Sequence, residues 1–406
     1  MNKKFGILAT LWLVQFVNYL DRVNIAIAGP SIMKSLSLDL HSFGFALAAF
    51  TFGYCIMQIP GGLLADRYGA RRILIAAPLL WSIFTGLTSL VDSLTLLIVV
   101  RVCFGMAEGS GNAAWIKVLA DNFSSKDRAK ATSFVVTALA IGPAAAAPIV
   151  AMLLLKFGWQ GMFLTLAIPG ALVSILIYFM VTNQRDHQVI TDSYDHGDKV
   201  HWKELLKRPT TLVFSLAYFS YNIAYWGYIG WMPSYLSMER HIDIKGLGTL
   251  AGIPYVFGFL GILLSGWLGS GVLFRYRPSA LVGCNLGAAV GLYVAYSSTD
   301  IALCMTGLSA TAFFCFGNLV LYGSLLQDLA PVKGRASFAG LISTFGQLGG
   351  LVAPVLIGYL VRTTGSFTSG FLFMICALCV SAVAYATLGK FLAKTRRLTV
   401  ASTQTA

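Results

Sequence analysis

The 406 residues are 57% hydrophobic and 11% charged, with a formal net charge of +13 and a mean hydropathy of +0.75. A soluble domain of this length needs far more polar surface to cover its core, so the composition excludes that class and implies a polytopic membrane protein. The basic residues stand singly or in twos and threes beside apolar runs, with no aromatic-interleaved stripe. That pattern argues against nucleic acid as a partner and makes anionic lipid headgroups their neighbours.

Twelve apolar stretches begin near residues 5, 43, 73, 94, 131, 160, 210, 249, 279, 300, 336 and 367. Each runs about twenty residues, enough for a helix to cross the hydrocarbon layer. The runs are continuously apolar, where barrel strands would alternate over about ten residues, so the fold class is all-α. With both termini placed in the cytoplasm, 21 of the 29 basic residues fall on the inner side; Lys34, Lys156, Arg240, Lys245 and Arg362 fall outside. The positive-inside rule supports this topology in a cell (inner) membrane. The first run, interrupted by Asp21 and Arg22 and without a persuasive small-residue cleavage site, reads as a retained helix and not a signal peptide.

The first span carries Asn18, Tyr19, Asp21 and Arg22, and the fourth carries Arg101 and Glu108. At mid-membrane each charge costs roughly 2.5 to 3.5 kcal/mol, so four unpaired ones would cost about 10 to 14 kcal/mol. They are therefore expected to be paired or hydrated. Asp21 and Glu108 read as the only acids within spans, and Arg101 and Glu108, seven apart, share a helix face. Burial favours a neutral carboxyl and a nearby guanidinium a charged one, so each acid is suited to exchanging a proton. Arg22 and Arg101 are suited to capturing a carboxylate. Because the four charges sum to zero, a purely structural network is the alternative.

After the second span comes Gly62-Leu-Leu-Ala-Asp66-Arg67-Tyr-Gly69-Ala-Arg71-Arg72. Its glycines permit close helix approach and a tight turn, and its arginines can latch onto a carbonyl end of a neighbouring helix. Asp66, Arg67, Arg71 and Arg72 are thus the candidate gate. The second-half counterpart, Gly266-Trp-Leu-Gly-Ser270, has serine at the aspartate position, which predicts a weaker latch there. Pro143 and Pro148, with Gly142 in an alanine-rich fifth span, and Pro354 in the eleventh read as bending and close-packing devices.

A polar stretch, 183–209, divides the chain into a first bundle (1–182) and a second (210–391), followed by a tail (392–406). Within it Lys203 to Lys207 could form a short surface helix, and His187, His196 and His201 read as a solvated cluster in preference to a metal site. The halves echo one another at an offset of 204: Asn18 with Asn222, Gly62 with Gly266, Gly142 with Gly346. The second half reads as having no charged side chain in any span. Its polar candidates are Tyr221, Asn222, Asn318 and Gln347, with Tyr225, Trp226 and Ser343 behind them, and several of these serve equally well as interhelical hydrogen-bond partners. The seven cysteines all fall in spans, which argues against a disulfide framework, and Cys376-x-x-Cys379 reads as packing. No catalytic constellation, metal site or cofactor motif appears, so an enzyme is not expected.

The Gly62 to Arg72 segment closely resembles the loop signature of the major facilitator superfamily. Four further segments resemble its anion:cation symporters: Asn18-Tyr19-Leu-Asp21-Arg22; Tyr54 with Gln58-Ile-Pro60-Gly61-Gly62; Arg101-x-x-x-Gly105-x-x-Glu108-Gly109; and Tyr218-Phe-Ser-Tyr221-Asn222. This resemblance implies two pseudo-symmetric six-helix bundles and proton-coupled import of an organic anion, such as a sugar acid, by alternating access. It assigns proton handling to Asp21 and Glu108, anion binding or gating to Arg22 and Arg101, and cavity lining to Tyr54, with Tyr19 beside them. A sodium-coupled or uncoupled carrier of the same fold is the alternative reading, and a monomer is the default state.

Overall fold

The computed structural model describes residues 3–123, 131–132, 134–181, 208–270, 273, 276–329 and 335–404. The described elements are all helices: α1 (Lys3–Ser35), α2 (Leu40–Tyr68), α3 (Ala70–Thr88), α4 (Leu94–Asn122), α5 (Ala138–Met180), α6 (Pro209–Met238), α7 (Ile244–Leu250), α8 (Ile253–Ser270), α9 (Arg277–Ser297), α10 (Ile301–Leu329), α11 (Arg335–Thr364) and α12 (Thr368–Gln404). The connector at 183–207, including the proposed Lys203–Lys207 helix and the three histidines, lies outside the described residues.

Among the described residues nine segments are long and apolar enough to cross a membrane. One of them covers 47 residues and is broken at Gly158 (φ 68°, ψ −180°), so α5 holds two crossings. Another, Ile244–Gly269, joins α7 and α8 across a short turn. The 33-residue α1 and the 30-residue α6 have the length but not the hydropathy. Their polar residues, Asn18, Asp21, Arg22 and Asn24 in α1 and Tyr218, Tyr221, Asn222 and Tyr225 in α6, lower the average. The two helices that look least like membrane spans are those expected to carry much of the site. Large apolar side chains such as Ile59, Leu63, Phe179, Trp267 and Val383 are exposed, as expected where lipid takes the place of water.

Helix boundaries differ from the sequence reading at one telling place. Arg277 begins α9 and Asp328 lies one residue from the end of α10, so the second half does carry charges within its helices. The reason is length: 29 residues exceed what the hydrocarbon layer requires, and the helix continues into the polar zone.

The chain forms two compact units. One comprises Met1–Gln188, Ile229–Val256 and Pro354–Phe367; the other comprises Val189–Tyr228, Phe257–Ala353 and Thr368–Ala406. In the first, α2 and α4 approach until a Cβ on Gly53 would overlap Val102 O and one on Gly105 would overlap Phe50 O. In the second, α8 and α10 repeat this, with Gly261 against Phe313 O and Gly317 against Ser265 Oγ. The Gly142 to Gly346 echo is also structural: Gly142 abuts Tyr19 and Phe16 O of α1, and Gly346 abuts Tyr218 and Asn222 of α6. Close packing through small residues is what drives association where lipid competes for every apolar surface. The second unit has an apolar core built on Phe214, Leu281, Ile342, Tyr385 and Leu388. All seven cysteines are free thiols, and Cys376 and Cys379 are exposed on α12.

Candidate functional site: a split charge quartet in the first unit

On α1, Asn18 and Tyr19 lie four and three residues before Arg22 and share its face, while Asp21 is turned about 100° away. This single step of the helix separates the two charges. Arg22 reaches across to α4, donating from Nε to Glu108 Oε1 and forming an ion pair through Nη2. The Glu108 side chain is 1% exposed and that of Arg22 16%. Asn18 is a further polar group beside Glu108. The guanidinium is also bordered by rings, 4.9 Å from Tyr19, 5.0 Å from Tyr54 and 5.5 Å from Phe50, faces that attract a cation without neutralising it.

Asp21 and Arg101 are each buried and lie in one another's field but make no ion pair. Asp21 Oδ1 accepts from Asn24 Nδ2 at 3.3 Å, and its Oδ2 has no hydrogen-bond partner. Arg101 lies 4.9 Å from the Phe104 ring and 5.2 Å from Phe50, with Nε unbonded. Glu108 Oε2 and Asn24 Oδ1 are likewise buried without a bond. A buried polar atom left unsatisfied costs about 1 to 3 kcal/mol, and this cluster holds four, Asp21 Oδ2, Asn24 Oδ1, Arg101 Nε and Glu108 Oε2.

A cavity of about 60 Å³, room for a few waters, opens beside the pair. Gln15, Asn18, Tyr19, Arg22, Tyr54, Glu108, Asn112 and Trp115 are among its lining residues. Asn112 Oδ1 accepts from Trp115 Nε1 at 3.1 Å. The predicted Tyr19, Arg22, Tyr54 and Glu108 thus meet at the cavity, whereas Asp21 and Arg101 are not in its lining. Sequence reasoning did not pick out Gln15, Asn24, Phe50, Asn112 or Trp115. A signal existed for two of them: Asn112 follows Glu108 by one helical turn and Gln15 precedes Arg22 by two.

In the second unit Tyr221 is fully buried and its hydroxyl donates to Cys315 O at 2.7 Å, tying α6 to α10. Asn222 Nδ2 donates to Tyr218 O at 2.8 Å, and Tyr218 stacks on Tyr322 with centroids 3.6 Å apart. Asn318 is 1% exposed with neither amide atom bonded, and Gln347 Oε1 is also buried without a partner. Asn318 and Gln347 therefore keep polar atoms available, while Tyr221 is engaged in the fold.

At the loop between α2 and α3, Gly69 adopts φ 91°, the left-handed turn that glycine makes without strain. The Asp66 side chain lies outside the described residues. Arg71 Nη2 donates to Tyr178 O near the end of α5 at 2.6 Å, and its guanidinium lies 5.2 Å from the Tyr178 ring. Arg67 lies over Tyr68 at 5.4 Å, and Arg72 is exposed. The second unit has an arrangement the sequence reading did not anticipate: buried Arg277 pairs with Asp328 and donates to Gly269 O from Nε (3.3 Å) and Nη2 (3.1 Å). It ties α9 to the end of α8 and to α10.

Residues 11–273 match the model of the Major Facilitator Superfamily. The chain is 29% identical over 384 residues to the hexuronate transporter of Bacillus subtilis (strain 168), covering 91% of this chain and 90% of that one. It is 30% identical over 398 residues to a probable L-galactonate transporter of Escherichia coli (strain K12), covering 92% and 87%. Among solved structures, the fold matches a bacterial homolog to the human lysosomal transporter Spinster in an inward-facing and unoccupied conformation, with a TM-score of 0.79 at 17% identity, covering 96% of each chain. A multi-pass helical protein with these matches is a transporter and not an enzyme, and the chain belongs to the major facilitator superfamily.

Proposed function

We propose that this transporter imports an organic anion, a sugar acid or a similar carboxylate, together with protons by alternating access. The relatives named for hexuronate and L-galactonate support the substrate class. The coupling reading is supported above all by one observation: Glu108, buried and paired with Arg22, lines the same cavity as that arginine.

A carboxylate that gains a proton no longer holds a guanidinium as an ion pair. Protonation of Glu108 therefore frees Arg22 for the substrate carboxylate, and Asp21 stands in the same relation to the field at Arg101. Tyr19 and Tyr54 border the freed guanidinium. Asn222, Asn318 and Gln347 are the proposed contacts from the second half, with Tyr221 positioning α6. Asp66, Arg67, Arg71 and Arg72 gate the inner end.

The moving bodies in this reading are 1–182 and 210–391, joined by 183–209, in a monomer with both termini and the 392–406 tail in the cytoplasm of a cell (inner) membrane. Proton loss inside restores the Arg22–Glu108 pair, which releases the anion and lets the site, again neutral, return empty. If two protons accompany a monoanion, the cycle is driven by about 2.3 kcal/mol per 100 mV.

The test is uptake of labelled hexuronate and hexonate into liposomes with an imposed proton gradient or, separately, a sodium gradient. Accumulation driven by the proton gradient alone is the expected result. Accumulation that follows sodium, or simple equilibration under both, overturns the coupling assignment while leaving the substrate class standing.

A further inference from the structure

The positive-inside bias leaves few basic residues on the side away from the termini. Two of them converge. Lys156 sits just before the Gly158 break in α5, and Lys245 lies in the first turn of α7. Both line a single groove of about 420 Å³ whose walls are Pro148, Ala151, Met152 and Leu155 on α5 and Gly248 and Thr249 on α7. The groove floor is closed because Gly248 lies directly on α5: a Cβ there would sit 2.7 Å from that of Ala151. Its mouth is open, with Met152 60% and Leu155 52% exposed.

The fate of the other outer cations sharpens the contrast. Arg362 pairs with Asp39, Arg240 donates to Tyr235 OH at 2.7 Å, and Lys34 stands exposed in the last turn of α1. Lys156 and Lys245 are exposed. Among the described residues neither makes an ion pair; Lys156 borders the neighbouring Phe157 ring, at 5.2 Å. The acid closest in sequence, Asp243, is occupied as the cap of α7, accepting from Gly246 N at 2.8 Å.

We propose that this groove is a binding site for one anionic phospholipid, with the headgroup phosphate held by Lys156 and Lys245 and an acyl chain lying along Ala151, Met152 and Leu155. The chemistry follows from the setting. An apolar trough facing hydrocarbon accepts a chain, and two ammonium groups at its rim attract a negative headgroup, each worth about 1 kcal/mol, or about fivefold in affinity. Among the described residues neither lysine is held in an ion pair, and the carboxylate of Asp243, two residues before Lys245, is turned to the α7 cap. The proposal is independent of the substrate and of the coupling ion.

Native mass spectrometry of the full-length protein, exchanged into dioleoylphosphatidylglycerol or dioleoylphosphatidylcholine, reads it directly. The wild-type chain is expected to retain one phosphatidylglycerol that K156Q/K245Q loses by about thirtyfold and each single variant by about fivefold. K156R/K245R, which keeps both charges, retains it, and phosphatidylcholine retention stays the same throughout. Thermal melting of each variant separates loss of the site from loss of the fold, and the single variants serve if the double variant is unstable. Equal phosphatidylglycerol retention by wild type and K156Q/K245Q overturns the site. So does full displacement by soluble glycerophosphoglycerol, which would assign the binding to the headgroup alone.

Discussion

Arg22 and Glu108 form a buried ion pair between α1 and α4, while Asp21, one residue before Arg22, makes none. The two acids should therefore respond differently to neutralisation. Glu108→Gln leaves a buried guanidinium without its counter-charge, and breaking such a pair costs about 3 to 5 kcal/mol. A marked fall in melting temperature of the purified protein is expected for Glu108→Gln and for Arg22→Gln. The double variant should melt well above the additive expectation, because the orphaned charge is gone. Additive losses would show that the pair is not a coupled unit.

Asp21→Asn removes a charge that has one long hydrogen bond and no ion pair. Its melting temperature should stay close to wild type, yet concentrative uptake driven by a proton gradient should fall at least about 100-fold, the scale expected when a proton-carrying group is removed. Substrate counterflow, which needs no net proton movement, should survive. Loss of counterflow and accumulation together would make Asp21 a binding or structural residue.

Arg101 lies against both Phe104 and Phe50, and Phe50 also borders Arg22. A flat delocalised cation suits that slot; a point-like ammonium does not. Arg101→Lys is expected to weaken substrate binding by about 10- to 100-fold, the worth of a bidentate contact, with little change in melting temperature. Binding measured by calorimetry on the purified protein decides it, and unchanged affinity would remove Arg101 from the anion site.

The helix contacts make a sharper stability forecast. A Cβ at Gly105 would overlap Phe50 O, a backbone atom that cannot move aside, whereas a Cβ at Gly283 meets nothing within 4 Å. Gly105→Ala should push α4 off α2, destabilise by about 1 to 3 kcal/mol in overpacking and displace Phe50 from the guanidiniums. Gly283→Ala, in the open part of α9, should stabilise by up to about 1 kcal/mol through helix propensity. Thermal unfolding of the two variants side by side checks the contrast.

The spans and the charge quartet were legible because lipid makes both conspicuous: a run of twenty apolar residues has few other uses, and a charge inside one is expensive. The pairing within the quartet was not. It depends on the 100° turn between Asp21 and Arg22, which carries the arginine to Glu108 on α4 and leaves the aspartate without an ion pair, and that does not act at the level of composition. Phe50 and Asn24 were missed for a related reason, since an aromatic or an amide in a span reads as packing until its neighbours are known. Tyr221 shows the converse: a polar residue at a family position whose hydroxyl is taken up by Cys315 O. The second half was read as free of charges in its spans because Arg277 stands at the very start of α9, and only its side chain, turned inward to Gly269 O and Asp328, shows that it is buried.

Asp39 offers a charge test away from the membrane core. It caps α2, its Oδ1 accepting from Ser42 N at 2.7 Å, and its Oδ2 lies 3.0 Å from Arg362 Nη1. The Ser42 backbone bond, with Arg362 adding to it, holds the carboxyl below the usual carboxylate range. Its folded value is depressed, so its contribution is present at all pH above the unfolded value of about 4 and is lost only as pH falls through the lower folded one. Across about pH 5 to 8 it stays charged. Asp39→Asn keeps the cap, since asparagine serves as well there, and removes only the link to Arg362. Uptake by this variant should change in rate without altering the shape of its pH profile over that range, because Asp39 itself does not change charge there. A shifted profile, measured as initial uptake rate against external pH, would place Asp39 among the coupling groups.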